Sequence, residues 1–215
     1  VQTHERLQSR TSEIDLHIVR PENRNPVPRT LLLVHGLPMI LGMGRTAAGM
    51  LPELAEQISH ESGWTVASGT MSGVGAATGT FSAAQWQSDL AVMIERLFDA
   101  DRSLSLAGFG LGGCLALRAA ASDERVRGVA TFATSADLTV WCGEAESFYS
   151  RVQRAGVVEK SHPLPPPQEL RDGVVALDPR GAIAQVPPRR LLIGHGADDR
   201  EVPVHNARDL FEAAD

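Results

Sequence analysis

The stretch Leu104-Ser105-Leu106-Ala107-Gly108-Phe109-Gly110-Leu111-Gly112-Gly113-Cys114-Leu115-Ala116-Leu117 decides how this chain of 215 residues is read. An apolar run of strand length enters a glycine-dense turn, and a run of good helix formers leaves it. A strand, tight turn and helix in this order serve two chemistries. One is a nucleophile elbow, G-x-S-x-G, which presents a serine on a sharp turn; the other is a phosphate-cradling turn, G-x-G-x-x-G. Gly108 and Gly112 are the outer glycines of the elbow, but Gly110 stands where its serine would be. Gly108, Gly110 and Gly113 meet the second pattern literally.

Working outward, Leu31-Leu32-Leu33-Val34 has the continuous apolar character of a strand buried on both faces, and His35-Gly36 ends it. Strands over 5–8 and 16–19 are expected to pair as a hairpin, with a polar, proline-marked turn over 21–28 after them. Helices are expected over 47–59 and 83–99, with strands over 64–68 and 103–107. Further strands are expected over 126–133 and 191–194, then a helix over 204–214. Residues 135–188 carry no obvious strand and predict a short helical cover. In it, Ser161-His162-Pro163-Leu164-Pro165-Pro166-Pro167 forms a stiff connection. This alternation predicts a single α/β domain over 1–215, built on a mainly parallel sheet. Such a sheet would normally add one more strand and helix, so a C-terminal strand and helix are expected to be missing from these residues.

With 43% hydrophobic and 21% charged residues, the chain is composed to bury a genuine core. A formal charge of −6 and scattered arginines argue against nucleic acid as a partner. No apolar run approaches the roughly 20 residues of a membrane span, so a soluble, unexported, cytoplasmic protein is expected. The two cysteines, Cys114 and Cys142, have neither a C-x-x-C partner nor a histidine cluster, which speaks against a disulfide framework and a metal site. Cys114 is expected to be a small buried apolar residue, and no cofactor is expected.

Three features in order resemble the α/β-hydrolase superfamily of serine hydrolases and esterases. They are Leu33-Val34-His35-Gly36-Leu37, the turn Gly108-Phe109-Gly110-Leu111-Gly112-Gly113, and His195-Gly196-Ala197-Asp198-Asp199-Arg200-Glu201-Val202-Pro203. The loop Ser72-Gly73-Val74-Gly75-Ala76-Ala77-Thr78-Gly79 is also similar, and the resemblance runs from about residue 14 to 215. It implies an α/β-hydrolase fold and, as the usual activity, hydrolysis of an ester, amide or thioester through a serine. It further implies an oxyanion hole formed by the backbone N–H groups of Leu37 and Leu111. The acid falls on Asp199, with Asp137 as the alternative; equally, Asp199 would serve only to order its own turn or cap the next helix. His35 and His195 end strands and are read as ordering loops, since neither stands where a triad histidine would. The matching base is expected beyond Asp215.

The nucleophile is therefore the open question. A hydrolase-family protein that binds a small acyl compound or ester, catalytically degenerate because Gly110 replaces the nucleophile, is the first expectation; a protein partner or a second copy is the other partner class. Glycine also relieves the strained backbone of an elbow apex, which costs another residue on the order of 1 to 3 kcal/mol. The alternative is an active carboxylic-ester hydrolase using a displaced nucleophile, with Ser135 better placed than Ser105 or Cys114, or a water activated beside Gly110. A third reading is dinucleotide binding, but Asp137 lies 29 residues past Gly108 where about 20 is usual. Leu138, Val140, Trp141, Phe148 and Tyr149 either line a pocket under the cover or belong to ordinary amphipathic packing.

Overall fold

Strands and helices alternate along the chain in the way the apolar runs predict. The computed structural model describes residues 1–22, 27–37, 44–99, 102–157 and 163–215. Residues 23–26 of the expected turn, and Ser161 and His162 of the proline-rich connection, lie outside the described residues. The strands are β1 (Gln2–Ser9), β2 (Ser12–Val19), β3 (Arg29–Val34), β4 (Thr65–Thr70), β5 (Ser103–Phe109), β6 (Val126–Phe132) and β7 (Arg190–Gly194). The helices are α1 (Gly44–Ser62), α2 (Ala83–Leu97), α3 (Leu111–Ser122), α4 (Leu138–Cys142), α5 (Ala145–Ala155), α6 (Pro167–Val175), α7 (Pro179–Ile183) and α8 (His205–Ala213). Most strands run a few residues beyond the apolar runs that announced them. The added positions in β1, Gln2, Thr3, His4 and Ser9, are polar, so hydrophobicity alone does not mark them.

Among the described residues the seven strands form one sheet in the order β1-β2-β4-β3-β5-β6-β7. β1 pairs antiparallel with β2 across the two-residue turn Arg10-Thr11, where Arg10 takes a φ of 46°. β2 pairs antiparallel with β4, and the remaining neighbours are parallel. The main core, with Leu32, Leu106, Leu115 and Phe148, lies on the sheet face that α2, α3 and the cover share. Leu33, Leu51, Ala55, Val66 and Ala107 make a smaller core under α1 on the other face. β7 is an edge strand, and its Leu192 is 53% exposed.

Among the described residues 135–188 hold helices and no strand, as the sequence predicts. Phe148 is fully buried and its ring meets Trp141 at 5.8 Å, while Val140 is 79% exposed. The Arg151 guanidinium donates to the carbonyls of Trp141 and Cys142 and lies against both rings. This is the arrangement of amphipathic packing.

The most heavily hydrogen-bonded group in the core is Asp89, on α2 and fully buried. Its carboxylate accepts from Ser9 Oγ at 2.5 Å, Ser72 N–H at 2.8 Å, Ser72 Oγ at 2.7 Å and Gln85 Nε2 at 2.9 Å. It thereby ties the β1–β2 hairpin to the loop after β4, whose Ser72 carbonyl also accepts the Trp86 indole N–H. Asp89→Ala strands the Ser72 N–H in the core and removes several charge-assisted bonds. It is expected to destabilise the protein by about 3 kcal/mol in urea denaturation, with Asp89→Asn losing clearly less.

Candidate functional site

The carboxyl ends of β5, β6 and β7 are laced together by backbone hydrogen bonds. Gly110 N–H donates to the Phe132 carbonyl at 2.8 Å, and Ala133 N–H donates to the Gly194 carbonyl at 3.1 Å. Gly110, the loop containing Asp137 and the loop containing Asp199 therefore share one edge of the sheet, within two strand spacings or about 10 Å. The loop after β3 joins them. A Cβ at Gly36 would stand 2.4 Å from the Phe109 carbonyl oxygen and 3.3 Å from the Leu111 nitrogen, so this loop and the turn touch backbone to backbone.

Gly110 has φ 55° and ψ −121°, a conformation that L side chains rarely adopt. A Cβ built on it would meet no atom of the described residues within 4 Å, so among them what this position lacks is a side chain and not the space for one. Its neighbours are glycine for a different reason. A Cβ at Gly108 would lie 2.3 Å from the Gly112 carbonyl oxygen, and one at Gly112 would lie 2.4 Å from the carbonyl oxygens of Val34 and His35. A Cβ at Gly113 would fall 2.0 Å from Thr134 Oγ1. The spacing of glycines in the sequence thus records how tightly the turn is held by β3 and β6.

Leu111 opens α3, so its N–H has no acceptor within the helix. Among the described residues neither this N–H nor that of Leu37 has a hydrogen-bond acceptor. Both side chains are buried and keep the two backbones in place. His35 is buried beside them. Its Nε2 accepts the Met71 N–H at 3.0 Å, which leaves Nδ1–H to donate to the Gly36 carbonyl at 3.0 Å. Burial holds its pKa below the usual 6.5, against the opposing effects of the Gly36 hydrogen bond and Asp89. A neutral imidazole that ties β3 to the loop after β4 is committed to structure.

Asp199 Oδ1 accepts the N–H groups of Glu201 and Val202, each at 2.9 Å. Its Oδ2 has only the approach of His195 Nε2 at 3.8 Å, and that nitrogen donates to the Val202 carbonyl at 2.6 Å. One oxygen orders the turn and the other is left over. Asp137 caps α4, with Oδ1 accepting from Thr139 N–H at 2.8 Å and Val140 N–H at 3.1 Å. Each candidate acid thus spends Oδ1 on two backbone N–H groups, and each stands five residues past the end of a strand, β6 for Asp137 and β7 for Asp199.

No protein-family model and no curated protein matches the sequence. Solved structures do match the fold. XC6422 from Xanthomonas campestris, described as an α/β serine hydrolase without a lid, is 22% identical, with 98% of this chain aligned to 78% of that one at a TM-score of 0.63. The α/β hydrolase GrgF from Penicillium sp. sh18 is 17% identical over 99% of this chain and 86% of its own, with a TM-score of 0.68. The esterase domain of a Rhodothermus marinus protein is also 17% identical, over 100% and 84%, with a TM-score of 0.67. This is the α/β-hydrolase fold.

Within the α/β-hydrolase fold, the glycine-dense turn follows the fifth strand of the chain, in the interior of a sheet that begins with two antiparallel pairings. A dinucleotide fingerprint opens its own βαβ unit, and its ribose-binding acid ends the next strand. Here β5 is preceded by four strands and Asp137 caps a helix. Close packing accounts for Gly108 and Gly113 of the literal G-x-G-x-x-G match, against the Gly112 carbonyl and Thr134, while Gly110 is set by its backbone conformation.

The displaced nucleophiles fare no better. The buried Ser135 Oγ–H donates to the Asp137 carbonyl at 3.0 Å and lies 3.3 Å from Asn206 Oδ1, which also accepts the Ala136 N–H; none of these partners is a base. Cys114 is fully buried, and burial pushes its thiol up to about 12, so no thiolate forms near neutrality. Ser105 lies midway along β5, below the turn. Sequence reasoning had no access to the Asn206 clamp, because a single asparagine in an amphipathic helix gives no sign of which loop it will face.

Proposed function

We propose that the protein binds a small ester or acyl compound at the Gly110 turn and turns it over poorly, as a hydrolase-fold protein whose elbow has lost its nucleophile. One observation carries this reading: Gly110 keeps an elbow's strained backbone, with open space among the described residues where the serine side chain would stand. The unpaired N–H groups of Leu37 and Leu111 support it, as a pair of donors suited to a carbonyl or carboxylate oxygen. Asp199 is the acid of the inherited site, with Asp137, which also caps α4, as the alternative. An apolar cleft of about 450 Å³ beside the turn, lined by Leu51, Leu54 and Phe109 among others, is the place for the acyl chain. Both cysteines are free and buried, which suits a reducing, cytoplasmic setting. Among the described residues no helix is long and apolar enough to cross a membrane.

A second reading rests on the same open space. A water held beside Gly110, against the two N–H groups, would attack a bound ester directly and make the protein a slow hydrolase without a covalent intermediate. Labelling of the intact gene product with a fluorophosphonate, followed by mass mapping, is expected to leave every serine unmodified while a hydrolase with the usual serine is labelled in parallel. A mapped adduct on any serine would overturn the degenerate reading. Binding of a short-chain acyl ester, measured by calorimetry together with product release, then separates the binding protein from the water-using hydrolase.

A further inference from the structure

Away from the turn, at the other side of the sheet, two histidines face each other across the β1–β2 hairpin. His4 and His17 are directly opposed in the register, with His4 Nε2 3.1 Å from His17 Nδ1. Arg6 and Asp15 form the next pair on the same face, and Ser68 of β4 stands opposite His17 in turn. His4, Asp15, His17 and Ser68 border a cleft of about 540 Å³ that also includes Gly49 and Pro52. His4 is exposed and His17 is 5% exposed.

The contact between the rings is not that of an in-line hydrogen bond. An N–H···N bond directed along both ring axes would hold the centroids apart by the N···N distance plus two ring radii. The centroids are only 4.3 Å apart and the planes are tilted by 41°, so the two nitrogens lie side by side. Two nitrogens bound to one ion at about 2.1 Å, on adjacent coordination positions, stand roughly 3 Å from each other. The arrangement is that of a two-toothed chelate.

We propose that His4 Nε2 and His17 Nδ1 together bind one divalent transition-metal ion of the kind imidazole favours, Zn²⁺, Ni²⁺ or Cu²⁺. Among the described residues no third histidine, cysteine or carboxylate completes a protein-only set, so water fills the remaining positions. The second nitrogen of His17 fits this assignment. Nε2 is buried without a hydrogen-bond partner, and the carboxylate nearest to it, Glu56 Oε1, stands at 4.0 Å, where a short side-chain movement would let it accept the N–H as carboxylates do behind metal-bound histidines. Asp15 on the same face is engaged by Arg6 Nε at 3.4 Å and is not counted as a ligand. The ion would staple β1 to β2 and bears no relation to acyl chemistry at Gly110, which lies on the far side of β4 and β3.

The test uses the untagged protein and NiCl₂ at pH 8, followed by calorimetry and by the thermal unfolding midpoint. One saturable Ni²⁺ per chain and a raised midpoint are expected. Both should weaken at least about tenfold in His4→Ala, whose exposed side chain is removed without opening the core, and by a smaller factor in Glu56→Gln. His60→Ala, an exposed histidine of α1 outside the cleft, should change nothing. No saturable site in the parent, or undiminished binding in His4→Ala, overturns the proposal.

Discussion

Gly110→Ser in the intact gene product is expected to yield a serine that reacts with a fluorophosphonate and hydrolyses a short-chain p-nitrophenyl ester at least about 10²-fold faster than the parent. The argument is one of subtraction. The backbone already holds the elbow conformation, and among the described residues a Cβ would meet nothing within 4 Å and the neighbouring N–H groups of Leu37 and Leu111 have no acceptor. Only the attacking oxygen and its base remain to be supplied. His35 and His195 are committed to backbone partners, so neither supplies the base. The same substitution should cost stability, on the order of 1 to 3 kcal/mol, because a φ of 55° is comfortable only for glycine. Gly110→Ala is the matched control, with the same strain and no gain in rate. A folded Gly110→Ser protein with neither label nor rate gain would show that the base was lost along with the nucleophile.

Two residues further on, the effect of a single methyl group is expected to change kind. Gly112→Ala is predicted to cost more than about 4 kcal/mol or to prevent folding, read by urea denaturation and by recovery of soluble protein. Its Cβ would lie 2.4 Å from two carbonyl oxygens, of Val34 and His35, and neither is the end of a flexible side chain. Relief requires the end of β3 to move, and with it the His35 imidazole that receives the Met71 N–H. Gly110→Ala, by contrast, faces only the local backbone term. Comparable losses for the two substitutions would mean that the turn is not clamped by β3 as described.

The strand and helix order was legible because each element carries its own signal. Leu31-Leu32-Leu33-Val34 is apolar throughout, as a doubly covered strand requires, Leu104-Ser105-Leu106-Ala107 is apolar but for Ser105, and α2 repeats its buried residues at helical spacing through Trp86, Leu90, Met93 and Ile94. The edge strand β1 was only half visible, since alternate residues of an edge face water. The hairpin partner of His4 could be named only once the register was known.

What the sequence determined by itself is local in origin: the α/β alternation, the glycine spacing of the turn, and the absence of a hydroxyl at Gly110. Periodicity, chain order and residue identity survive without any knowledge of the fold. Tertiary structure alone decided what those residues can do. It set Ser135 against Asn206, 71 positions away, and used Asp137 as a cap. It left Asp199 one free oxygen and buried Asp89 among four donors. Such contacts depend on which strands become neighbours, and a side chain's chemistry follows from partners that lie far from it along the chain.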